Sequence, residues 1–541
     1  MKNEARNSIA CTMRKYWLRA LVLTCLAQPL LGAVEQGQVS QFGVTWTFDR
    51  NYTVGQFANG DYWVVGPVTV IGIHPSSVEI SGRTMNGSMV NPSPKLSWFQ
   101  GYDSGMYRNY GPFFDPNLNV GRPYGQDLSE WNPLLLQPHS SLVSSISIPE
   151  PIHKKQLDTA AILTVLSKRP PEGSFRPPYC GSDKGIRFNR NQLGYSVLAN
   201  LKPVPGVPGR AEVERYFERP WLDHVPNWLG GYLHPGENMP GYGREMATQV
   251  GIGALMLNLD FTNQQKETLL IRLVQLGIDF YGIIQDEGEE NWINSGGHAS
   301  GRKWPILFAG LVLGDPNMMK IGRGDVPDYG PSHPEHVHFG EDDQTFYVTR
   351  ADVDVTHSAQ WNPDSRDTQK IPYEHEDIGL PEWGIRHATG PAASNKFWKT
   401  AYRQVCSPGW GGFVLAAHIM GMKDLWNHDA LFDYTDRYMQ AAVDWRQTSR
   451  FVEAMWDTYR ADYGPVWTMS PKLTAVAAGG SVEKTPDKVA YTLGESVRIK
   501  AIADPGYEFA GWSGGLSGKN NPVSIVMHAN RSIIANFSVS R

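Results

Sequence analysis

Residues 263–284, NQQKETLLIRLVQLGIDFYGII, carry the clearest secondary-structure signal in the chain. The apolar side chains of Leu269, Leu273, Leu276 and Phe280 recur at helical spacing and predict an amphipathic helix over Asn263–Ile284. Comparable patterns lie on both sides of this stretch. They cover Leu157–Leu166, Met246–Leu259, Pro305–Leu313, Ser394–Val405, Gly411–Gly421, Ala430–Trp445 and Phe451–Tyr459.

This succession of helices predicts the fold class. Helices joined by Gly- and Pro-rich loops, with no strand pattern between them, indicate an α/α hairpin array that closes into a toroid or stacks into a solenoid. No repeat of fixed length is visible, which disfavours a regular solenoid. We therefore expect a mainly α protein with an (α/α)-toroid domain over residues 34–468.

The two ends of the mature chain read as β-structure. Val44–Phe48, Tyr62–Val65 and Val68–Ile73 alternate in the manner of strands, and Asn59-Gly60 predicts a tight turn between the first two. Residues 81–155 are rich in Gly, Pro, Asn and Ser, and indicate either decoration around a site or short strands. After Ser470, short strand patterns separated by turn residues predict a small all-β module over residues 470–541.

The N-terminus has the pattern of a secretory signal peptide over residues 1–33. Arg14, Lys15 and Arg19 precede an apolar stretch that is too short to span a bilayer and that ends in small residues at Ala33. No later segment is long and apolar enough to predict membrane insertion. A secreted or periplasmic location follows as the expectation.

Charge and cysteine content restrict the classes of partner and of site. A net charge of -5 without a basic run argues against nucleic-acid binding, since neutralising phosphates needs a basic surface. The mature chain keeps only Cys180 and Cys406, which can pair but lack zinc-site spacing. The sequence predicts no metal and no cofactor.

Three polar, glycine-bearing loops stand next to predicted helix starts. The first, residues 291–304, offers Asn294, His298, Arg302 and Lys303 before the helix predicted from Pro305. A helix N-terminus attracts anions, so cations placed there suggest an anionic ligand; the alternative is salt bridging to carboxylates at residues 286–290. The other two loops, residues 228–244 and 371–387, contain further His, Tyr and Arg side chains, which are His234, Tyr242, Arg244, Tyr373, His375 and Arg386.

β-Elimination of a uronic-acid polymer is a reaction that uses such groups without a metal. Neutralising the sugar carboxylate stabilises the enolate-like intermediate, a base removes the C5 proton, and an acid protonates the departing oxygen. Histidine, with an unperturbed pKa of ~6.5, can serve as the base, whereas a tyrosine, at ~10, needs help from neighbouring cations.

Residues 60–66, 295–303 and 379–387, GDYWVVG, SGGHASGRK and GLPEWGIRH, resemble family 38 of the secreted (α/α)-toroid polysaccharide lyases, which has alginate and glucuronan lyase activities. The resemblance extends over roughly residues 40–465. It implies His298 as the base, Tyr373 as the acid or as both acid and base, and Asn294 with Arg302 as the carboxylate neutraliser, while Tyr232 and Tyr242 compete with Tyr373. The expected substrate-binding residues are Lys303, His234, Tyr242, Arg244, His375 and Arg386.

The C-terminal stretch resembles a different family. Residues 506–522, GYEFAGWSGGLSGKNNP, and 529–537, ANRSIIANF, are similar to the divergent internalin-type B repeat of bacterial surface and secreted proteins. This resemblance implies an accessory module without catalytic residues, which is expected to bind a cell surface or a glycan.

Two alternatives to a lyase remain open at this point. The first is an (α/α)-toroid glycoside hydrolase that uses paired carboxylates, for which Glu376, Asp377 and Glu382 are candidates. The second is a non-catalytic carbohydrate-binding surface protein, which the C-terminal module favours.

Overall fold

The computed structural model describes residues 33–105, 113–149, 155–239, 243–293, 296, 298–321, 337–442 and 448–540. The signal peptide predicted over residues 1–33 lies almost wholly outside these ranges. Helix makes up 31% of the structure and strand 26%. The expected mainly α toroid is therefore wrong: the protein combines a large curled sheet with helices.

The N-terminal third builds that sheet. Its strands are β1 (Val34–Gln41), β2 (Val44–Gln56), β3 (Tyr62–Val65), β4 (Val68–His74), β5 (Val78–Ile80), β6 (Arg83–Met85), β7 (Ser88–Val90), β8 (Phe99–Gln100), β9 (Phe113–Phe114), β10 (Leu134–Leu136), β11 (Ser140–Ser147) and β12 (Leu157–Leu166). Eight of them form a curled half-barrel in the order β10-β4-β2-β3-β12-β11-β7, with β1 paired to β2. The strands predicted as β2, β3 and β4 are confirmed, and Gly60 occupies the turn with a φ of 90°.

Residues 157–166, predicted to be a helix, form the buried strand β12. Ala160 and Ile162 face the core shared with the helices, whereas Ala161, Leu163 and Val165 face a second core on the opposite side of the sheet. Because both faces are covered, the strand is apolar almost throughout and lacks the alternation that marks a half-exposed strand.

The helices and two short strands follow. They are α1 (Arg210–Tyr216), α2 (Arg244–Leu257), α3 (Asn263–Gln285), α4 (Lys303–Leu313), α5 (Pro316–Met319), α6 (Gly340–Gln344), β13 (Thr345–Tyr347), α7 (Arg350–Thr356), β14 (Pro381–Trp383), α8 (Ala401–Cys406), α9 (Trp410–Ile419), α10 (Lys423–Trp426), α11 (Asp429–Ala441) and α12 (Arg450–Tyr459). The predictions for α2, α3, α4, α9, α11 and α12 are confirmed to within a few residues, apart from the C-terminal end of α11. The helix predicted from Ser394 begins only at Ala401.

Two helix pairs, α2 with α9 and α3 with α4, pack closely around the segments that carry the polar loops. The first pair approaches through glycines: a Cβ on Gly251 would lie 2.8 Å from the Cα of Gly412. The helices and one face of the sheet share a single core, which fixes the start of α2 and the start of α4 relative to each other.

The C-terminal module has its own small core and two three-stranded sheets. Its strands are β15 (Leu473–Ala477), β16 (Gly480–Thr485), β17 (Ser496–Ala503), β18 (Tyr507–Gly514), β19 (Val523–Val526) and β20 (Arg531–Val539). The turn between β19 and β20 inserts into the rest of the protein. There the His528 ring stacks on Trp398 at 4.6 Å, and its carbonyl oxygen accepts two N–H bonds from Arg437.

Cys180 and Cys406 are both buried and free, so they do not pair. Across the described ranges, none of the helices combines the length and the apolar character that crossing a membrane requires.

Candidate functional site

The first polar loop packs against α8 and the start of α2. The rings of His298 and Tyr402 stand edge to face, with centroids 6.2 Å apart and planes at 90°. Two glycines make this contact possible, since a Cβ on Gly243 would lie 2.0 Å from the His298 Nδ1 and a Cβ on Gly296 would lie 2.4 Å from the Tyr402 ring. Both aromatic side chains remain partly exposed to solvent.

Tyr402 is held by a guanidinium. The Arg366 Nη1 donates a hydrogen bond of 2.6 Å to the Tyr402 phenol oxygen, and its Cζ lies 4.1 Å from the ring centroid. The Asp364 carboxylate fixes Arg366 through bonds of 2.9 and 2.5 Å. A cationic donor aimed at a phenol oxygen stabilises negative charge on that oxygen, which is what an acid needs after it gives up its proton.

Two more cations flank this pair, and both belong to the predicted substrate-binding set. Arg244, at the start of α2, points its Nη1 towards the Gln404 carbonyl oxygen of α8 at 3.5 Å. Arg386 is exposed. The pKa of the Asp364 carboxyl is lowered, mainly by the hydrogen bond from Arg366 and further by the charge of Arg386. Arg366 thus contacts Tyr402 directly, whereas Arg244 reaches α8 at the Gln404 carbonyl oxygen and Arg386 lies near the Asp364 carboxylate that holds Arg366.

Arg302 lies beneath the site and not in it. Its side chain is fully buried and makes a bidentate pair with Asp223, Nε to Oδ2 at 2.7 Å and Nη2 to Oδ1 at 3.2 Å. Burial alone would raise the pKa of Asp223, but the charge of Arg302 and the hydrogen bond from His234 outweigh it and lower that pKa. The predicted role of Arg302 as a carboxylate neutraliser is wrong, because its guanidinium is already neutralised and out of reach of a substrate.

Arg302 also holds the loop of residues 291–304 in place. Its Nη1 donates to the backbone carbonyl oxygens of His298 at 3.0 Å and of Ser300 at 2.9 Å. The buried ion pair therefore fixes the backbone from which the His298 ring projects towards Tyr402. Arg302 is a positioning residue.

Lys303 is equally unavailable to a substrate. It begins α4, is fully buried, and pairs its Nζ with the Asp342 carboxylate at 2.5 Å and with the Trp426 carbonyl oxygen at 2.8 Å. The predicted substrate-binding role is wrong for this reason. The alternative of salt bridging is right in kind, but Arg302 and Lys303 pair with Asp223 and Asp342 and not with carboxylates at residues 286–290.

His234 also belongs to the buried network. Its Nε2 lies 3.1 Å from the Asp223 Oδ1, and its ring stacks on Trp221 at 5.7 Å. Burial is the main cause that lowers the pKa of His234 to about 4. A neutral, enclosed imidazole cannot bind an anionic sugar, so this prediction is wrong as well.

Tyr373 is enclosed in a separate small core. Its side chain is fully buried against Phe346 and Leu380, and burial raises its pKa well above the usual value. It cannot reach a substrate, so its assignment as the acid is wrong; its competitor Tyr232 is also fully buried. His375 is exposed in a short turn, and no contact in the described residues joins it to His298.

Two predicted residues, Asn294 and Tyr242, lie outside the described residues. Their roles as carboxylate neutraliser and substrate contact stay predictions.

Two of the three carboxylates proposed for a glycoside hydrolase, Asp377 and Glu382, are buried in ion pairs. Glu382 is fully buried between Arg403 and Arg437, with oxygen–nitrogen distances of 2.5 and 3.2 Å. Asp377 is buried and pairs with Lys396 at 2.5 Å. Only Glu376 is exposed, so this set does not provide two accessible carboxylates facing one cleft.

One carboxyl beneath the loop is unusual. Glu341 is fully buried in α6 and accepts the Gly301 N–H at 3.1 Å. Burial, followed by the charge of Asp342, raises the pKa of Glu341 to about 8. The loop that carries His298 is therefore anchored at one point by a carboxyl that is protonated at neutral pH.

Sequence reasoning missed Tyr402 and Arg366. Tyr402 sits in the first turn of α8, where an aromatic residue ordinarily indicates core packing. Arg366 lies in the segment Asp364-Ser-Arg-Asp367, whose alternating charges read as a solvated loop. No cluster of three or more His, Cys, Asp or Glu side chains suited to a metal occurs in the part of the chain that the structure describes.

Comparison with known proteins identifies only the tail. Residues 472–541 match the divergent InlB B-repeat domain, in agreement with the resemblance seen in the sequence. No curated protein and no solved structure matches the chain. Residues 472–541 are thus a divergent InlB B-repeat domain that follows a larger α- and β-containing region.

Proposed function

We propose that this protein is an exported polysaccharide lyase that cleaves a uronic-acid polymer by β-elimination. The observation that carries the proposal is the His298–Tyr402–Arg366 set: an imidazole edge-on to a phenol whose oxygen accepts a guanidinium N–H. The cations around the pair suit a substrate with one carboxylate per sugar. Export is supported by the signal-peptide pattern and by the B-repeat tail.

The proposed reaction assigns one proton transfer to each aromatic residue. The neutral His298 imidazole takes the C5 proton of the uronate, while Arg244 and Arg386 offset the carboxylate charge that otherwise opposes the developing enolate. The C4–O4 bond then breaks, a C4=C5 double bond forms, and the Tyr402 hydroxyl gives its proton to O4. Arg366 stabilises the phenolate left behind, and the proton held by the imidazolium restores the phenol through solvent.

The placement of the two groups also favours a class of substrate. His298 and Tyr402 lie edge to face, so we expect both to approach a sugar ring from the same side. A base and an acid on the same side promote syn elimination, which suits uronates whose C5 hydrogen and O4 lie on one face. D-Mannuronate and D-glucuronate have that configuration, and L-guluronate does not.

A product assay on the whole chain tests the proposal. We expect polymannuronate or glucuronan to yield a 4,5-unsaturated uronate that absorbs in the ultraviolet, with polyguluronate a poor substrate. Release of reducing ends without a gain in absorbance would support the hydrolase alternative and contradict a lyase. Binding of a polyuronate without any cleavage would instead support the carbohydrate-binding alternative.

A further inference from the structure

A cleft of about 450 Å³ separates the C-terminal module from the rest of the protein. One wall is formed by the segment before α8, and the other by strands and turns of the module. The side chains that define it are Phe397, Trp398, Lys399, Trp512, Lys519 and Arg531.

The charged side chains that line this cleft are all basic. Lys399 and Lys519 are exposed on opposite walls, Arg531 is half-buried between them, and none of the described lining residues is an aspartate or a glutamate. The Arg531 Nη1 donates to the Gly515 carbonyl oxygen at 2.9 Å, and no carboxylate lies within ion-pair distance of it in the described ranges. In the described ranges the buried arginines are paired with carboxylates, as Arg176 is with Asp61 and Asp279, so the cations of this cleft, which lack such a partner, point to an anionic ligand.

A buried imidazole adds an unused polar group. His528 lines the cleft, is 4% exposed, and its Nδ1 has no hydrogen-bond partner among the described residues. Burial lowers the pKa of His528 well below the usual value, and the charges of Arg531 and Arg437 act in the same direction. The His528 ring is enclosed, so it shapes the wall of the cleft through its stacking on Trp398 and adds no positive charge to it.

Both walls are held in place. The Arg437 guanidinium donates to the His528 carbonyl oxygen at 3.1 and 2.9 Å, and the Lys396 Nζ donates to the Asn530 carbonyl oxygen at 3.2 Å. The cleft is thus a fixed feature between two packed units and does not depend on a loose tether.

Two short chain segments connect the cleft to the candidate site. Lys399 is three residues from Tyr402, which limits their Cα separation to about 11 Å. Gln369 lines the cleft and lies three residues beyond Arg366, the residue bound to the Tyr402 phenol. A polymer lying across His298 and Tyr402 can therefore extend to the module within about two or three sugar rings.

We propose that this cleft binds a stretch of the same acidic polysaccharide chain, so that the module supplies part of the substrate-binding surface. The inference rests on the proposed function for the identity of the ligand. Lys399 and Lys519 contact sugar carboxylates, and Phe397 offers a half-exposed ring against a sugar face.

Binding to polymannuronate or glucuronan tests the inference without turnover. The dissociation constant is measured for the full-length chain in a His298→Ala background, which prevents cleavage. Adding Lys399→Gln and Lys519→Gln together should weaken binding about tenfold, the effect of losing two charge contacts. The control Lys500→Gln, an exposed lysine of β17 outside the cleft, should change it less than about twofold.

The binding measurement tests the cleft independently of whether the wild-type chain cleaves the polymer. Weaker binding of the double variant supports the cleft even if wild-type chain yields no unsaturated product. Unchanged binding by a variant that unfolds at the wild-type temperature overturns the cleft even if wild-type chain is an active lyase. Failure of the His298→Ala chain to bind either polymer also overturns it.

Discussion

Arg302 holds the backbone of His298 by a hydrogen bond to its carbonyl oxygen, and the same guanidinium also donates to the Asp223 carboxylate. The charges of Arg302 and Asp223 are both buried, so removing either one would leave the other without a counter-charge and would lower the stability of the fold. The loop owes its shape to this contact and to the Gly301 N–H bond accepted by Glu341.

Replacing Arg302 with Met should cost about 3–5 kcal/mol in the free energy of unfolding, because Asp223 then remains buried without its main counter-charge. Urea unfolding measures the loss. The control is Arg350→Met, which breaks an exposed pair with Asp354 and should cost less than about 1 kcal/mol. Equal effects of the two variants would contradict the assignment of Arg302 to a buried anchor.

Glu341 gives the protein a pH dependence of its own. Its pKa is about 8 in the folded state because of burial and Asp342, whereas an unfolded glutamate titrates near ~4.3. Between these values the folded state binds the extra proton. The contribution of Glu341 to stability is therefore complete below about pH 4 and is lost as the pH rises towards 8.

Glu341→Gln keeps an oxygen for the Gly301 N–H and removes the titration. We expect it to flatten the slope of unfolding free energy against pH between about 4 and 8, and to stabilise the protein at pH 8 by up to about 5 kcal/mol, which corresponds to the shift from ~4.3 to about 8. Chemical denaturation at a series of pH values gives this slope. A slope identical to that of wild type would show that Glu341 titrates normally.

At the scale of elements, the crossing of α2 and α9 places the start of α2, and with it Arg244, beside His298. Gly251→Ala adds a methyl group that would lie 2.8 Å from Gly412 and 2.9 Å from the Phe413 backbone nitrogen. The clash should outweigh the gain of about 1 kcal/mol in helix propensity and leave a net loss of about 1–2 kcal/mol. Gln264→Ala on the exposed start of α3 serves as control; a stabilising effect of Gly251→Ala would contradict the close crossing.

Elements with one polar or exposed face, such as the helix α3 and the strand β2, were predicted from the sequence, and so were the almost fully buried helices α4 and α9. β12 was misread because both of its faces are covered, and the short strands between residues 83 and 136 were not resolved because each is only two or three residues long. These strands form by pairing with segments that are distant in the sequence, and the local residue pattern gives no sign of such pairing.

The same limit applies to the site. The glycine-flanked loop indicated His298, and the structure gives a reason for one of the glycines: Gly296 allows the close approach to Tyr402. The density of polar groups around Tyr373 was misleading, since the direction of its side chain into a core is set by tertiary packing. Arg302 and Lys303 were misjudged because Asp223 and Asp342, their partners, lie 79 and 39 residues away in the sequence.

At the scale of the whole molecule, the module and the larger region share buried contacts at His528 and Trp398. We expect them to unfold in one calorimetric transition. His528→Ala removes the stacked ring and should lower the free energy of unfolding by about 2 kcal/mol, whereas His375→Ala, on an exposed turn, should change it by less than about 0.5 kcal/mol. Two separate transitions in the wild-type chain would show that the module is only tethered.

The central claim is that Tyr402, and not Tyr373, gives its proton to the leaving sugar. The most direct measurement is the rate of ultraviolet-absorbing product formed from the best polyuronate by the variants Tyr402→Phe and Tyr373→Phe, each of which loses one hydroxyl. We predict a loss of at least about a hundredfold for Tyr402→Phe, the usual contribution of an acid–base group, and a near wild-type rate for Tyr373→Phe. A near wild-type rate for Tyr402→Phe would contradict it.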